Sequence, residues 1–152
     1  MLLINEFPAI DQLLPHGADA VALDAINAWE AGRLARARLK VRPTLMLYDN
    51  DAAGIPVWSG IEIMAQTLGI YVALDGGCEG TRPEPGYLVG VRHFRAARAT
   101  LENGLELVSE AACLHCERYG LANFDCRILH ENQTLASAHL SVWRPHPAGK
   151  PV

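Results

Sequence analysis

The sequence predicts an α+β domain in which a curved antiparallel sheet wraps around one long central helix. Three observations carry this expectation. One helix-length segment, roughly Trp58 to Leu74, is apolar nearly all round and must be buried on most sides. Two extended segments precede it and four follow it, most of them joined by turns of hairpin length. A sheet folded around the helix is the economical way to bury a single helix of this kind. The chain is long enough for it: 152 residues, 50% hydrophobic and 20% charged, can build one sizeable core.

In chain order, Pro8 to Leu14 reads as a short helix, with Pro8 suited to a first turn and Pro15 ending it. It is expected to act as a flap or plug outside the core. Val21 to Trp29 and Arg33 to Val41 are extended, with Gly32 at the turn. In the second of them Ala35, Ala37, Leu39 and Val41 alternate with Leu34, Arg36, Arg38 and Lys40. Arg42 to Pro56 has no period and contains Asp49-Asn50-Asp51 and Gly54, so it reads as a loop. The long helix follows and is stopped by Asp75-Gly76-Gly77, with a further loop from Cys78 to Pro85. Tyr87 to Ala97, Leu105 to Glu117, Leu121 to His130 and Thr134 to Trp143 are strands. The last two alternate cleanly, Phe124, Cys126 and Ile128 against Asn123, Asp125 and Arg127, then Ala136, Ala138, Leu140 and Val142 against Ser137, His139 and Ser141. Such alternation belongs to antiparallel strands with one face buried. Residues 1–144 form one domain and 145–152 a Pro/Gly tail. This order of elements is the layout of a hotdog fold.

Charge and composition exclude several classes of function. Thirteen Lys and Arg against 17 Asp and Glu give a formal net charge of -4, without the basic excess that phosphate neutralisation requires, so no nucleic acid is expected. Glu62 and Gln66 lie well inside the most apolar stretch, Ile55 to Leu74, which argues against a membrane span. The N-terminus meets Glu6 without a basic region before it and does not read as a secretion signal, so a cytoplasmic location is expected. Four cysteines are too few for a disulfide scaffold, and reduced thiols are expected. Cys113-Leu114-His115-Cys116 looks like a metal or redox motif. In a regular strand, however, residues i and i+3 point to opposite faces and cannot close on one zinc, so no metal is expected.

Within the helix Glu62, Gln66, Gly69 and Ala73 recur at i, i+4, i+7 and i+11. One stripe therefore carries a carboxylate, an amide and then residues without bulk, a narrow polar groove on an apolar helix. Partial desolvation raises a carboxyl's pKa and lets it act as a general acid near neutrality. The simpler alternative is an acid favoured by the helix N-terminus. Of the six histidines, His16 stands out because it follows Pro15 at a helix-to-loop transition, where a side chain can point into a cleft from a fixed backbone; a structural histidine is the alternative. His115 shares a strand face with Cys113 and reads as a buried imidazole.

Leu13-Leu14-Pro15-His16, followed eight residues later by Asp24, resembles the LLPHR…LLVD opening of FabZ-type 3-hydroxyacyl-acyl-carrier-protein dehydratases. Glu62-Ile63-Met64-Ala65-Gln66-Thr67-Leu68-Gly69 resembles their EAMAQAAG helix, and 87–94 looks like the strand that follows it. The family carries a histidine 14 residues before the helix glutamate; Tyr48 stands at that position here, with Asp49-Asn50-Asp51 after it. This pattern resembles the divergent ApeP-like branch linked to aryl polyene biosynthesis.

The resemblance implies a dimer with sites between subunits and removal of water across C2 and C3 of an acyl thioester, in fatty-acid or aryl-polyene-type biosynthesis. Such chemistry needs a base at C2, an acid for the departing hydroxyl and donors for the thioester oxygen. Glu62 and Gln66 match family positions, as the acid and its orienting partner. His16 is the candidate base by inference from the missing loop histidine. Backbone N–H groups near Ser59 and Gly60 are candidate oxyanion donors. No cofactor is required. The acyl chain arrives on the phosphopantetheine of an acidic acyl-carrier protein, and Arg92, Arg95 and Arg98 form a basic cluster that could receive it. Two further readings stay open: a non-catalytic hotdog subunit that binds acyl chains or completes a heterodimer with an active dehydratase, and a thioesterase in which Glu62 activates water.

Overall fold

The computed structural model describes residues 7–14, 17–75, 86–117 and 119–146. A single-turn helix α1 (Ile10–Leu13) and a 3₁₀ turn (Ala18–Ala20) precede the hairpin of β1 (Ala25–Glu30) and β2 (Leu34–Lys40). A short strand β3 (Gly54–Pro56) and a 3₁₀ turn (Val57–Ser59) lead into the long helix α2 (Gly60–Asp75). Then come β4 (Tyr87–Ala96), β5 (Thr100–Glu102), β6 (Glu106–Cys116), β7 (Gly120–His130) and β8 (Gln133–Arg144). Six strands form one antiparallel sheet in the order β1-β2-β6-β7-β8-β4, and β3 pairs with β5 in a separate ribbon. This is the expected α+β arrangement.

The inner face of the sheet is built to admit a helix. Ala35, Ala37 and Leu39 of β2 face Ala111, Ser109 and Leu107 of β6, all essentially without exposure. All six side chains are on these two strands and four of the six are small, so α2 can approach closely. Ile63, Met64, Leu68, Ile70, Tyr71 and Val72 of α2 are buried on several sides at once. The segment Val57–Asp75 is long and apolar enough to cross a membrane by length and composition, yet it is largely buried inside the protein as the core helix. Its few polar groups find partners. Thr67 Oγ1 lies 2.9 Å from the Ile63 carbonyl and 2.7 Å from Ser109 Oγ. The Gly32 N–H donates to the Tyr71 hydroxyl at 2.8 Å, tying the β1–β2 turn to the helix, and the Tyr71 ring meets Phe124 edge-on. Gly32 takes φ +75°, the left-handed conformation that this turn requires.

Several expectations are corrected. The α1 segment is no plug outside the core: Ile10, Leu13 and Leu14 are buried in the main hydrophobic cluster. The extended segment beginning at Val21 becomes strand only at Ala25, and the helix begins at Gly60 after a 3₁₀ turn at its expected start. The stretch read as loop ends in β3, which pairs with β5 in the link between Ala97 and Leu105. Three-residue strands are too short to leave a periodic signal.

The cysteines differ most from expectation. Cys113 and Cys116 do not point apart but form a disulfide, because β6 carries a bulge between Cys113 and His115. One extra residue restores Cys116 to the face of Cys113 and turns His115, expected to be buried, out to solvent. Among the described residues Cys126 is a free, buried thiol, pushed far above its ordinary value by burial.

On the outer face one carboxylate is shut away from water. Glu110 of β6 is 5% exposed, accepts from Arg127 of β7 at 2.7 Å, and pairs with Arg36 of β2. Burial pushes this carboxyl up, but the hydrogen bonds and charges of Arg127 and Arg36 outweigh it and hold the group below its usual value. A depressed folded-state pKa contributes stability above the unfolded value, about 4.3, and loses it as pH falls through the folded one. Glu110→Gln is therefore expected to destabilise the protein by about 1–3 kcal/mol at pH 7. Urea unfolding across pH should show this difference narrowing below about pH 4; a constant difference would contradict the assignment.

Candidate functional site

Glu62 sits in the first turn of α2, half-buried, and Gln66 lies one turn later with no exposure at all. Burial of a primary amide demands partners for its donors and acceptor, and Gln66 has them. Its Oε1 accepts the Ala22 N–H at 2.9 Å; its Nε2 donates to the Ala20 carbonyl at 2.9 Å and to Glu62 Oε1 at 3.1 Å. A flipped amide would set donor against donor at Ala22 and acceptor against acceptor at Ala20, so the backbone fixes its orientation. Sequence reasoning found Gln66 and Glu62 but not Ala20 and Ala22, which take part through backbone groups and carry no side-chain signal.

The small-residue stripe is not an open groove. A Cβ built on Gly69 would meet Leu14 Cδ2 at 2.9 Å, so the N-terminal segment packs along α2 there. Residues 14 and 20 are thus both anchored to the helix, at Gly69 and Gln66. His16, the candidate base, and Pro15 lie outside the described residues. Tyr48, at the family's histidine position, is half-buried and packed against the core. After it the chain makes a tight turn: the Asp49 carboxylate accepts from the Asp51 N–H at 2.8 Å, and Asp49 and Gly54 bridge through their backbones. A Cβ at Gly54 would come within 2.3 Å of the Leu101 carbonyl, so the turn can close only on glycine.

At the head of α2, Ser59 is half-buried and ends the 3₁₀ turn. The Gly60 N–H, expected to be available as an oxyanion donor, is directed at the Val57 and Trp58 carbonyls. The tight turn before the helix consumes it. Gly60 is also a close-approach position, since a Cβ there would meet Ile128 Cδ1 at 2.8 Å. Asp24 is structural, accepting the Lys40 N–H at 2.7 Å and pairing with Arg42.

The basic cluster is divided. Arg98 pairs with Glu102, whereas Arg92 and Arg95 of β4 face His139 and Ser137 of β8 across a bulge in which His93 takes φ +54°. A cleft of about 410 Å³ beside them is lined by His93, Arg95, Asp125, Ser137, Ala138 and His139. Ser137, His139 and Asp125 project from the sheet face opposite α2, so this cleft is separate from Glu62.

A hotdog sheet around a helix bearing Glu62 and Gln66 defines a dehydratase-like hotdog protein. The chain matches the ApeP-like family, described as ApeP dehydratase, over residues 8–151, and it belongs to that family. No curated protein sequence matches it. Among solved structures, the dehydratase heterocomplex ApeI:P from Xenorhabdus doucetiae is similar with a TM-score of 0.82 at 21% identity, covering 93% of each chain. The conserved protein PA5202 from Pseudomonas aeruginosa gives 0.66 at 17% identity, over 90% of this chain and 99% of that one. A hypothetical thioesterase from Streptococcus pneumoniae, solved with coenzyme A, gives 0.61 at 13% identity, over 80% and 90%. At these identities the structural likeness establishes the fold.

Gln66 and Glu62 should separate in mutational cost. Gln66→Leu leaves the buried Ala22 N–H and the part-buried Ala20 carbonyl without their Gln66 partner and is expected to destabilise by about 2–4 kcal/mol. Glu62→Gln, at the half-buried helix start, should cost less than about 1 kcal/mol. Equal losses on chemical denaturation would show that the amide does not anchor the N-terminal segment.

Proposed function

We propose that this chain is a hydro-lyase subunit that removes water from a 3-hydroxyacyl thioester, in fatty-acid or aryl-polyene-type biosynthesis. The observation that carries the reading is the Gln66-held carboxyl of Glu62 in a chain of the ApeP-like dehydratase family. Glu62 is the acid that protonates the departing C3 hydroxyl. His16 is the base that takes the C2 proton, in a segment tethered on both sides to α2. Ser59 is the donor available to the thioester oxygen at the head of the helix, a position where developing negative charge is favoured. Acid–base elimination of this kind requires no cofactor. The substrate arrives on the phosphopantetheine arm of an acyl-carrier protein.

The working unit is a pair of hotdog subunits. Strand β4 is a sheet edge, and Tyr87, Leu88, Val89 and Val91 are each 40–58% exposed along it, on both faces. An apolar edge with unpaired backbone groups favours pairing with another strand. The similar ApeI:P structure is a heterocomplex, which supports a second hotdog protein as the partner alongside a second copy of this chain. Tyr48 in place of the loop histidine favours a second reading, in which this chain binds the acyl chain and a partner supplies the base.

Formation of enoyl thioester from a carrier-bound 3-hydroxyacyl substrate tests the proposal. Glu62→Gln is expected to lower turnover by about 10²-fold or more with little change in unfolding midpoint, the scale of a positioned proton donor. Unchanged turnover would remove Glu62 from the mechanism. His16→Ala that keeps full activity but melts lower would make His16 structural. A wild-type chain that forms no enoyl product alone or with a partner, or that releases free acid, would overturn the dehydratase reading. Val89→Lys on the edge should weaken self- or partner association, measured by analytical ultracentrifugation.

A further inference from the structure

The Cys113–Cys116 pair has no part in the dehydration chemistry and poses a separate question. In a regular strand residues three apart are separated by about 10 Å and point to opposite faces, beyond the reach of a disulfide. Here their Cα atoms are 5.9 Å apart and the sulfurs are bonded. The sheet register gives the reason. Cys113 pairs with Phe124 and His115 with Asn123, so two steps along β6 answer one along β7, and Leu114 is the extra residue. Beyond it, Cys116 pairs with Ala122 on the same face as Cys113.

The bulge is anchored at both ends. The Cys113 N–H donates to the Arg33 carbonyl at 2.7 Å, and Arg144 Nη1 donates to the Glu117 carbonyl at 3.3 Å. The bulge itself is open to solvent: Leu114 is 59% exposed, the His115 side chain 61%, and both cysteines are partly exposed. Cys126, two strand positions from this bulge, is fully buried.

We propose that Cys113–Cys116 is a thiol-exchange site, a disulfide that a dithiol reductant opens in the folded protein and that locks the β6 bulge while closed. One thiolate of the reductant attacks a sulfur of the pair; a mixed disulfide forms and the other cysteine leaves as a thiolate that takes up a proton. The second thiol of the reductant then displaces the first cysteine. The reductant becomes a disulfide, the protein gains two thiols, and two electrons have passed from one to the other. Closure by a disulfide oxidant is the reverse. In the reduced protein the bond that draws 113 and 116 together is gone, and the bulge is held by its two anchoring hydrogen bonds and the flanking ladder.

The test uses the full chain with Cys78→Ser, to leave one possible pair and one buried thiol. Native protein is incubated with dithiothreitol or oxidised dithiothreitol, alkylated with iodoacetamide, and mapped by mass spectrometry, with amide exchange measured in parallel. Reduction should render Cys113 and Cys116 alkylated while Cys126 stays protected, and should speed exchange over residues 113–117 and 121–124 by about 10-fold or more, reversibly. Cys113→Ser and Cys116→Ser should each abolish the redox dependence of that exchange. The proposal is overturned if the oxidised protein contains no Cys113–Cys116 linkage, if the linkage opens only together with exposure of Cys126, or if exchange is the same in both redox states. None of these outcomes depends on dehydratase activity.

Discussion

Gln66 places a primary amide in the middle of an otherwise apolar helix, and a buried amide without partners costs several kcal/mol. The partners it finds are the Ala22 N–H, the Ala20 carbonyl and Glu62. One requirement of the core thereby sets three things at once: the path of the N-terminal segment along α2, the direction of the amide, and the orientation of one carboxylate oxygen of Glu62. Leu14 against Gly69 fixes the same segment a turn further along, which is why residues placed outside the core by their sequence are inside it. The site is a by-product of satisfying the interior.

The two faces of the sheet solve opposite problems. The inner face is lined with small side chains on β2 and β6 so that a helix with bulk on all sides can come close. Among the described residues no layer covers the outer face, and the arginines Arg36 and Arg127 themselves cover the Glu110 carboxylate that joins three strands. At one end of this sheet β1 is an edge, and at the other β4 presents apolar side chains to both sides. The unit is complete as a core and incomplete as a surface.

Elements with a long period were legible in the sequence. The helix was marked by its length and its lack of polar residues, and β7 and β8 by strict alternation that reappears as burial in the structure. The ribbon of β3 and β5 was not legible, because three residues hold no period, and neither was the bulge at Leu114, which shows only when β6 is laid against β7. That one residue reversed two expectations, separated cysteines and a buried His115. Glu62 and Gln66 were found by their spacing on one stripe, whereas the groove inferred beside them proved to be filled by Leu14, since a stripe of small residues admits a neighbouring side chain as readily as a ligand.

The strand order also has a consequence for synthesis. Helix α2 ends at Asp75, but three of the strands that enclose it, β6, β7 and β8, run from Glu106 to Arg144. A ribosome adding about 5–20 residues per second leaves the helix without its cover for several seconds. During that interval a segment long and apolar enough to enter a lipid bilayer is held only by the β1–β2 hairpin and the segment before it. The Gln66 amide, with both of its backbone partners already made, and the Tyr71 hydroxyl, which accepts from the Gly32 N–H, are then polar anchors that can keep the nascent helix on the path to the folded domain.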